Sequence, residues 1–323
     1  MKSPQISVAL STYNRVNMVP RMIECILGQD FCDFELLLIN NGSDDNTDLV
    51  CQNYQERDSR IRFLTLPQNL GPGGAKNFAL QKAIADFICF VDDDDYCEPN
   101  YLSLLYNSIT QFGADIAVTG CVDEFEDKIV PKFSYEEVYV WCKTEAVSEF
   151  LKREKFNAAP PTKIFRKSLF NNISFRTGKG PDDIHVIYKL FTEAEKVVVR
   201  GNPTYRFHKH ADNVTVYVTE NRINGDILND YLKMQKDRVV YISEKLPVLS
   251  PQVRYAAWSY MISMVDKIQN GHGEDCNNHL AYMLKQLSNN QDEFLASVWV
   301  TEREKRLMGK YVAKNMGGHY EEV

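Results

Sequence analysis

Over its first hundred or so residues the chain alternates short apolar runs with stretches of helical spacing, a pattern few folds satisfy. Residues 6–10, 34–39, 61–66 and 87–91 read as strands. Between them, residues 16–28 set Val19, Met22, Ile23, Ile26 and Leu27 on one helical face, and residues 48–54 and 75–85 read as further helices. Strand, helix and strand in this order imply a parallel sheet with right-handed crossovers. Polar or glycine-rich loops fall at residues 11–15, 40–45, 69–74 and 92–95. All but the third directly follow apolar strands. They should line the sheet edge where open α/β folds bind nucleotides.

The last of these loops stands out. Phe87-Ile88-Cys89-Phe90-Val91 ends in four carboxylates, Asp92, Asp93, Asp94 and Asp95. Adjacent carboxylates repel one another, and solvent or a cation relieves the repulsion. From the residues alone two readings stand: a solvated acidic turn, or a metal site at a strand's carboxyl end.

Further along, residues 101–112 read as a helix, 115–121 as a strand, 122–135 as a polar excursion or hairpin and 144–154 as a helix. Residues 178–183 form a second acid-bearing loop that opens a helix over 184–195. Strands follow at 197–200 and 204–207, and then a His208-Lys209-His210 segment. Beyond residue 217 the pattern becomes helical, over 222–245, 253–270, 279–287 and 293–315. We expect a catalytic domain over 1–217 and an all-helical appendage over 218–323. Trp258, Tyr260, Met261 and Met264 should lie in the core of that appendage. The last helix carries Arg303, Lys305, Arg306, Lys310 and Lys314, which suits either an ordinary amphipathic helix or a peripheral membrane contact.

A net charge of −7 argues against a nucleic-acid partner held by bulk charge. Eight cysteines without a Cys-x-x-Cys pair fit a reducing compartment better than a disulfide framework. With no N-terminal signal visible, the expected location is cytoplasmic, at most peripheral to the inner face of the plasma membrane.

Several of these stretches together resemble the inverting family 2 glycosyltransferases of the GT-A fold, over roughly residues 5 to 216. Ser11-Thr12-Tyr13-Asn14-Arg15 is similar to the family's Pro-Thr-Tyr-Asn-Arg. Residues 34–45 resemble its Phe-Glu-Ile-Ile-Val-Val-Asp-Asp-Gly-Ser-Thr-Asp. Asn69-Leu70-Gly71 through Ala75-Lys76-Asn77 resembles Asn-x-Gly…Ala-Arg-Asn, the four acids resemble Asp-x-Asp-Asp, and Asp182-Asp183 stands where Glu-Asp is usual.

The resemblance implies a Rossmann-like, mostly parallel sheet flanked by helices. It implies sugar transfer (a hexosyltransferase type) from a nucleotide diphosphate sugar, UDP favoured, to a hydroxyl of a glycan or lipid-linked acceptor in surface polysaccharide synthesis. Asp94 becomes the main ligand of Mn2+ or Mg2+, with His210 a further ligand and Asp92 and Asp93 beside the nucleotide sugar. Asp183 becomes the general base and Asp182 an acceptor-side residue. Ser11, Tyr13 and Asn41 form the nucleotide pocket, with Tyr13 stacking on the base. Asn41 departs from the usual aspartate. Its oxygen still accepts a uracil N–H, but its NH2 adds donors, so the base stays open. Lys76 replaces an arginine, keeping the charge without the fork geometry. Two rival readings are a sugar-nucleotidyltransferase, which would want a glycine-rich loop after the first strand, and a non-catalytic nucleotide-sugar-binding protein of the same fold.

Overall fold

The computed structural model describes residues 3–178, 180–210 and 222–312. The chain forms two compact units, Met1–His210 and Ala211–Val323. The expected boundary at 217/218 falls outside the described residues.

The first unit opens with β1 (Ile6–Thr12), α1 (Val19–Leu27), β2 (Phe34–Asn40), α2 (Thr47–Arg57), β3 (Ile61–Thr65), α3 (Gly71–Lys82) and β4 (Phe87–Asp92). The four strands pair in parallel in the order β3-β2-β1-β4. Strand β2 is buried at every position and β1 at all but one, which is why both read as continuous apolar runs rather than alternating ones. One face packs Val19, Met22, Ile23 and Ile26 of α1 against Val8, Leu10, Leu36 and Leu38.

Beyond β4 the sheet is mixed. β5 (Tyr96–Cys97), α4 (Tyr101–Gln111), β6 (Ile116–Glu124), β7 (Ile129–Phe133), β8 (Val138–Cys142), α5 (Lys143–Lys152), β9 (Lys163–Arg166), α6 (Ile187–Glu193) and β10 (Lys196–His208) follow. Strand β9 inserts antiparallel between β4 and β6, and β10 runs parallel to β6 while pairing antiparallel with β5 and β8. The two strands expected at 197–200 and 204–207 are one strand with register shifts around Pro203.

The glycine-rich stretch 69–74 is not a turn followed by a helix; Gly71 already begins α3. Tertiary approach explains the glycines. A Cβ on Gly73 would sit 1.9 Å from the Arg176 carbonyl oxygen, and one on Gly71, whose φ is +75°, would meet the Gly178 carbonyl at 2.2 Å. Only a bare backbone lets α3 start this close to Arg176 and Gly178. The strand order reverses at β1 and β4, so the loops after them open onto one crevice.

The second unit is helical, with α7 (Gly225–Lys245), α8 (Ser250–Lys267), α9 (Asn277–Asn289), α10 (Gln291–Leu295) and α11 (Glu302–Tyr311). It is not purely so: β11 (Ile223–Asn224) pairs in parallel with β12 (Gly273–Glu274). Trp258 and Met261 are buried in its core with Phe294 and Met308, Met264 packs at the margin, and Tyr260 stacks on Tyr231. The helix expected over 293–315 is interrupted. Thr301 and Glu304 form a capping box that starts α11 afresh, with the Thr301 N–H donating to Glu304 Oε2 at 2.7 Å. Arg303 is paired with Asp266 and Lys305 with Glu302, so part of the basic stripe is engaged within the fold; Lys314 lies outside the described residues. No described helix is long and apolar enough to cross a membrane.

Candidate functional site

The loops after β1 and β2 are laced together. Asn14, at a φ of 52°, donates its N–H to Ser43 Oγ at 2.9 Å and accepts the Asp44 N–H at 3.0 Å. Asn41 donates its backbone N–H to the Thr12 carbonyl at 2.9 Å. Ser11 lies in register with Asp92 across β1 and β4, at the mouth of the crevice. Tyr13 follows with 41% of its surface exposed, which leaves its ring available for stacking.

Asn41 is buried and committed to the fold. Its Oδ1 accepts the Leu70 N–H at 3.0 Å, and its NH2 lies 3.2 Å from Asn69 Oδ1 and 3.1 Å from the Gly71 carbonyl. The side chain therefore ties the β2 loop to the start of α3. One Oδ1 lone pair remains for a ligand, and both amide hydrogens are used.

The four acids occupy different surroundings. Asp94 Oδ2 lies 3.1 Å from Arg15 Nη1 and 3.1 Å from His210 Nε2. Arg21 of α1 donates to the backbone carbonyls of Asp94 at 2.7 Å and Asp95 at 3.0 Å, fixing the turn from below. Asp92 donates its N–H to the buried Tyr205 hydroxyl at 3.2 Å. Burial pushes its carboxyl up to about 7; Lys76 opposes this, and the neighbouring Asp94 and Asp93 add to it. Burial likewise pushes Asp93 up to about 6. Asp95 is the residue that sequence reasoning left undecided. It is 4% exposed, so it is not a solvated acid at a helix start. Its Oδ1 accepts the His208 N–H at 2.9 Å and Tyr205 is a further hydrogen-bond partner, while burial beside Asp92 and Asp94 holds its pKa well above the usual range. Asp95 thereby anchors the end of β10, two residues before His210. Its partners lie more than a hundred residues downstream, and no local signal marks them.

The second acid pair is brought to the same crevice through α3. Lys76 Nζ donates to Asp182 Oδ2 at 2.9 Å, with both side chains about one-tenth exposed. Asn77 exchanges two hydrogen bonds with the Phe175 backbone, at 2.8 and 2.9 Å. Burial works against the Lys76 ammonium, but Asp182, Asp92 and Asp183 outweigh it and raise its pKa. Burial next to Asp182 raises that of Asp183. Helix α6 starts at Ile187 rather than 184. The Asp183 carbonyl takes the Val186 and Ile187 N–H groups, at 2.9 and 3.0 Å. The expected roles for Asp182 and Asp183 thus rest on a segment docked against the start of α3.

Lys163 is a second buried cation that the sequence reading assigned no role. Its Nζ lies 2.5 Å from the Asn157 carbonyl, 2.7 Å from that of Ala159 and 3.0 Å from Thr162 Oγ1. It pins residues 157–162 in front of β9, and burial pushes its pKa down to about 7.

The Lys76–Asp182 pair yields an expected result. Lys76→Met leaves Asp182 and Asp92 without their common counter-charge. Breaking one side of a buried pair costs about 3–5 kcal/mol. Chemical denaturation should show that loss at pH 7.5 and a smaller one at pH 5, where Asp92, its carboxyl pushed up to about 7 by burial, takes up a proton. An equal loss at both values would mean the lysine acts through packing alone.

Among the described residues no three His, Cys, Asp or Glu side chains converge closely enough to hold a metal ion by themselves. What the protein offers is an oxygen and a nitrogen donor, Asp94 Oδ2 and His210 Nε2, beside two further carboxylates whose pKa values are raised by burial and by their acidic neighbours.

In sequence or in fold the chain is similar to known proteins. A glucosyltransferase of Campylobacter jejuni, GalNAc(5)-diNAcBac-PP-undecaprenol beta-1,3-glucosyltransferase, is 29% identical over 248 residues, 73% of this chain and 77% of its own. The structure of TarS 1-349 from S. aureus in complex with UDP-GlcNAc superposes with a TM-score of 0.65 at 19% identity, covering 94% of this chain and 83% of that one. The mannosyltransferase PcManGT from Pyrobaculum calidifontis, in complex with GDP-Man and Mn2+, superposes with a TM-score of 0.58 at 13% identity, covering 98% and 81%. These likenesses bear out a GT-A fold with a mixed, mostly parallel sheet and a helical C-terminal region. The family model for glycosyl transferase family 2 matches residues 7–174, just over half of the chain and every loop of the crevice up to α3 and β4, and the chain is therefore a glycosyltransferase that belongs to that family.

Proposed function

We propose that this glycosyltransferase moves a sugar from a nucleotide diphosphate sugar, UDP favoured, to a hydroxyl of a glycan or lipid-linked acceptor, with inversion at the anomeric carbon. The observation that carries the reading is the meeting of two separate acid groups in one crevice. Asp94 with His210 lies on one side, and Lys76 with Asp182 and Asp183 on the other. That gives one group for the leaving diphosphate and one for the acceptor proton.

Asp183 takes the proton of the acceptor hydroxyl as the oxygen bonds to the anomeric carbon, and its raised pKa makes it a stronger base than an ordinary carboxylate. The bond to the diphosphate breaks on the opposite face, and the nucleoside diphosphate leaves with the electron pair. Asp182, held by Lys76, orients the acceptor side, and the Lys76 charge favours the anionic donor. Asp92 and Asp93 face the nucleotide sugar. Ser11, Tyr13 and Asn41 hold the base and ribose, with the remaining Asn41 Oδ1 lone pair for a uracil N–H.

The donor set suits a hard divalent ion. Asp94 and His210 would hold Mn2+ or Mg2+, other positions being left to substrate phosphates and water, and the ion supplies neutralisation of the leaving diphosphate when bound. The Arg15 guanidinium at Asp94 supplies further positive charge there.

A thermal-shift screen of nucleoside diphosphates with and without Mn2+ tests the reading. A ligand at a hundredfold excess over its Kd stabilises by about 2.7 kcal/mol. UDP with Mn2+ should raise Tm most, and either component alone much less. A larger shift with GDP would move the base assignment, and no shift with any nucleotide would remove the donor site altogether.

A further inference from the structure

Between α1 and the strand that follows the acid loop, two thiols face each other. Cys25 of α1 and Cys97 of β5 have their Sγ atoms 3.1 Å apart, and all eight cysteines of the chain are free. A disulfide requires about 2.05 Å, so closure asks for a movement of about 1 Å. The backbone already holds the pair: Cys97 N–H approaches Cys25 Sγ at 3.2 Å, and Cys25 Sγ lies 2.8 Å from the Cys97 carbonyl. Gln29, one turn after Cys25, donates to the Glu98 carbonyl at 2.8 Å and accepts the Leu102 N–H at 2.9 Å, fixing α1 against this segment. The two sulfurs differ. Cys97 is 1% exposed, whereas Cys25 is only half-buried. The Cys97 thiol and backbone N–H beside it, with Arg21 nearby, hold the Cys25 pKa below the ordinary thiol value in spite of burial.

We propose that Cys25 and Cys97 form a dithiol site that hydroperoxides oxidise to an intramolecular disulfide, Cys25 attacking and Cys97 resolving. The Cys25 thiolate attacks one peroxide oxygen. The O–O bond breaks, an alcohol (or water) leaves with a proton, and Cys25 becomes a sulfenic acid, oxidised by the two electrons that reduce the peroxide. Cys97 Sγ then displaces the hydroxyl from the Cys25 sulfur. The S–S bond forms, the S–O bond breaks, and water carries away the Cys97 proton. The product staples α1, which carries the Arg21 that holds the Asp94 and Asp95 carbonyls, to the strand that follows those acids. Nothing in this site depends on the identity of the donor or metal.

The test uses the full chain with its exposed thiols removed, Cys32→Ser and Cys142→Ser, which leaves six of eight cysteines. The folded protein is treated with one equivalent of hydrogen peroxide, alkylated after denaturation and mapped by mass spectrometry. The expected result is loss of two alkylatable thiols and a linked peptide pair containing Cys25 and Cys97, both reversed by dithiothreitol. Adding Cys97→Ser should halt the reaction at a sulfenic acid on Cys25 that dimedone captures. Six alkylated thiols after treatment, or a linkage through Cys51, Cys89, Cys121 or Cys276, would overturn the proposal. Dimedone labelling at other positions without Cys25 would do the same.

Discussion

Asp183→Asn is expected to lower kcat by about two to four orders of magnitude, the usual contribution of a positioned general base. Nucleotide affinity should change little. The substitution keeps the shape of the side chain, and the Asp183 carbonyl continues to cap α6. Lys76 keeps its direct partner Asp182, so the crevice loses one negative charge and no ion pair. What disappears is the ability to accept a proton from the acceptor hydroxyl.

The pH profile sharpens this expectation. The active form of Asp183 is deprotonated, and burial beside Asp182 raises its pKa. Wild-type kcat should therefore fall on acidification at a higher pH than an ordinary aspartate would give. In Asp183→Asn that limb should vanish from the residual rate. A separate acid-side loss of donor affinity should persist in both proteins, because Asp92 and Asp93 titrate near 7 and 6. Steady-state kinetics from pH 5 to 8, with kcat and KM reported separately, distinguish the two. An unchanged kcat in the variant would mean that another group takes the proton.

The parts legible in the sequence were those whose causes are local. Strands β1, β2 and β4 announce themselves because a parallel strand covered on both faces reads as an unbroken apolar run. The four acids single out their loop, as a solvated turn or a metal site, because adjacent carboxylates need solvent or a cation to relieve their repulsion. The parts that were not legible depend on distant partners. Gly71, Gly73 and Gly74 read as a turn because glycine is a poor helix former. For Gly71 and Gly73 the reason is the passage of Gly178 and Arg176, a hundred residues away, across the start of α3, whereas Gly74 makes room for the Leu70 side chain. Asp95 reads like its neighbours, yet it is committed to His208 and Tyr205 on a strand reached only after the whole second half of the sheet. Asn41 shows the converse. A substitution that read as a change in base recognition also has a structural use, as the clamp between the β2 loop and α3.

Asp94→Ala addresses the other half of the crevice. Loss of the main carboxylate should remove the Mn2+ dependence of nucleotide binding and lower the transfer rate by about three orders of magnitude. That figure is the several kcal/mol of charge stabilisation a metal ion provides, at 1.36 kcal/mol per tenfold. The fold should survive, because Arg21 binds the Asp94 carbonyl rather than its carboxylate and Asp95 keeps its own bonds to β10. The substitution also releases Arg15 from the ion pair at 3.1 Å, and its guanidinium then becomes available to the donor diphosphate. Weak nucleotide binding should therefore remain but become indifferent to Mn2+, which separates this outcome from collapse of the pocket. Titration of the nucleoside diphosphate with and without Mn2+, by calorimetry, reads both quantities. His210→Ala should show the same change in smaller degree, since one ligand stays. If Asp94→Ala keeps full Mn2+ dependence, the ion is held elsewhere, and the pairing of Asp94 with His210 is a structural contact rather than half of a metal site.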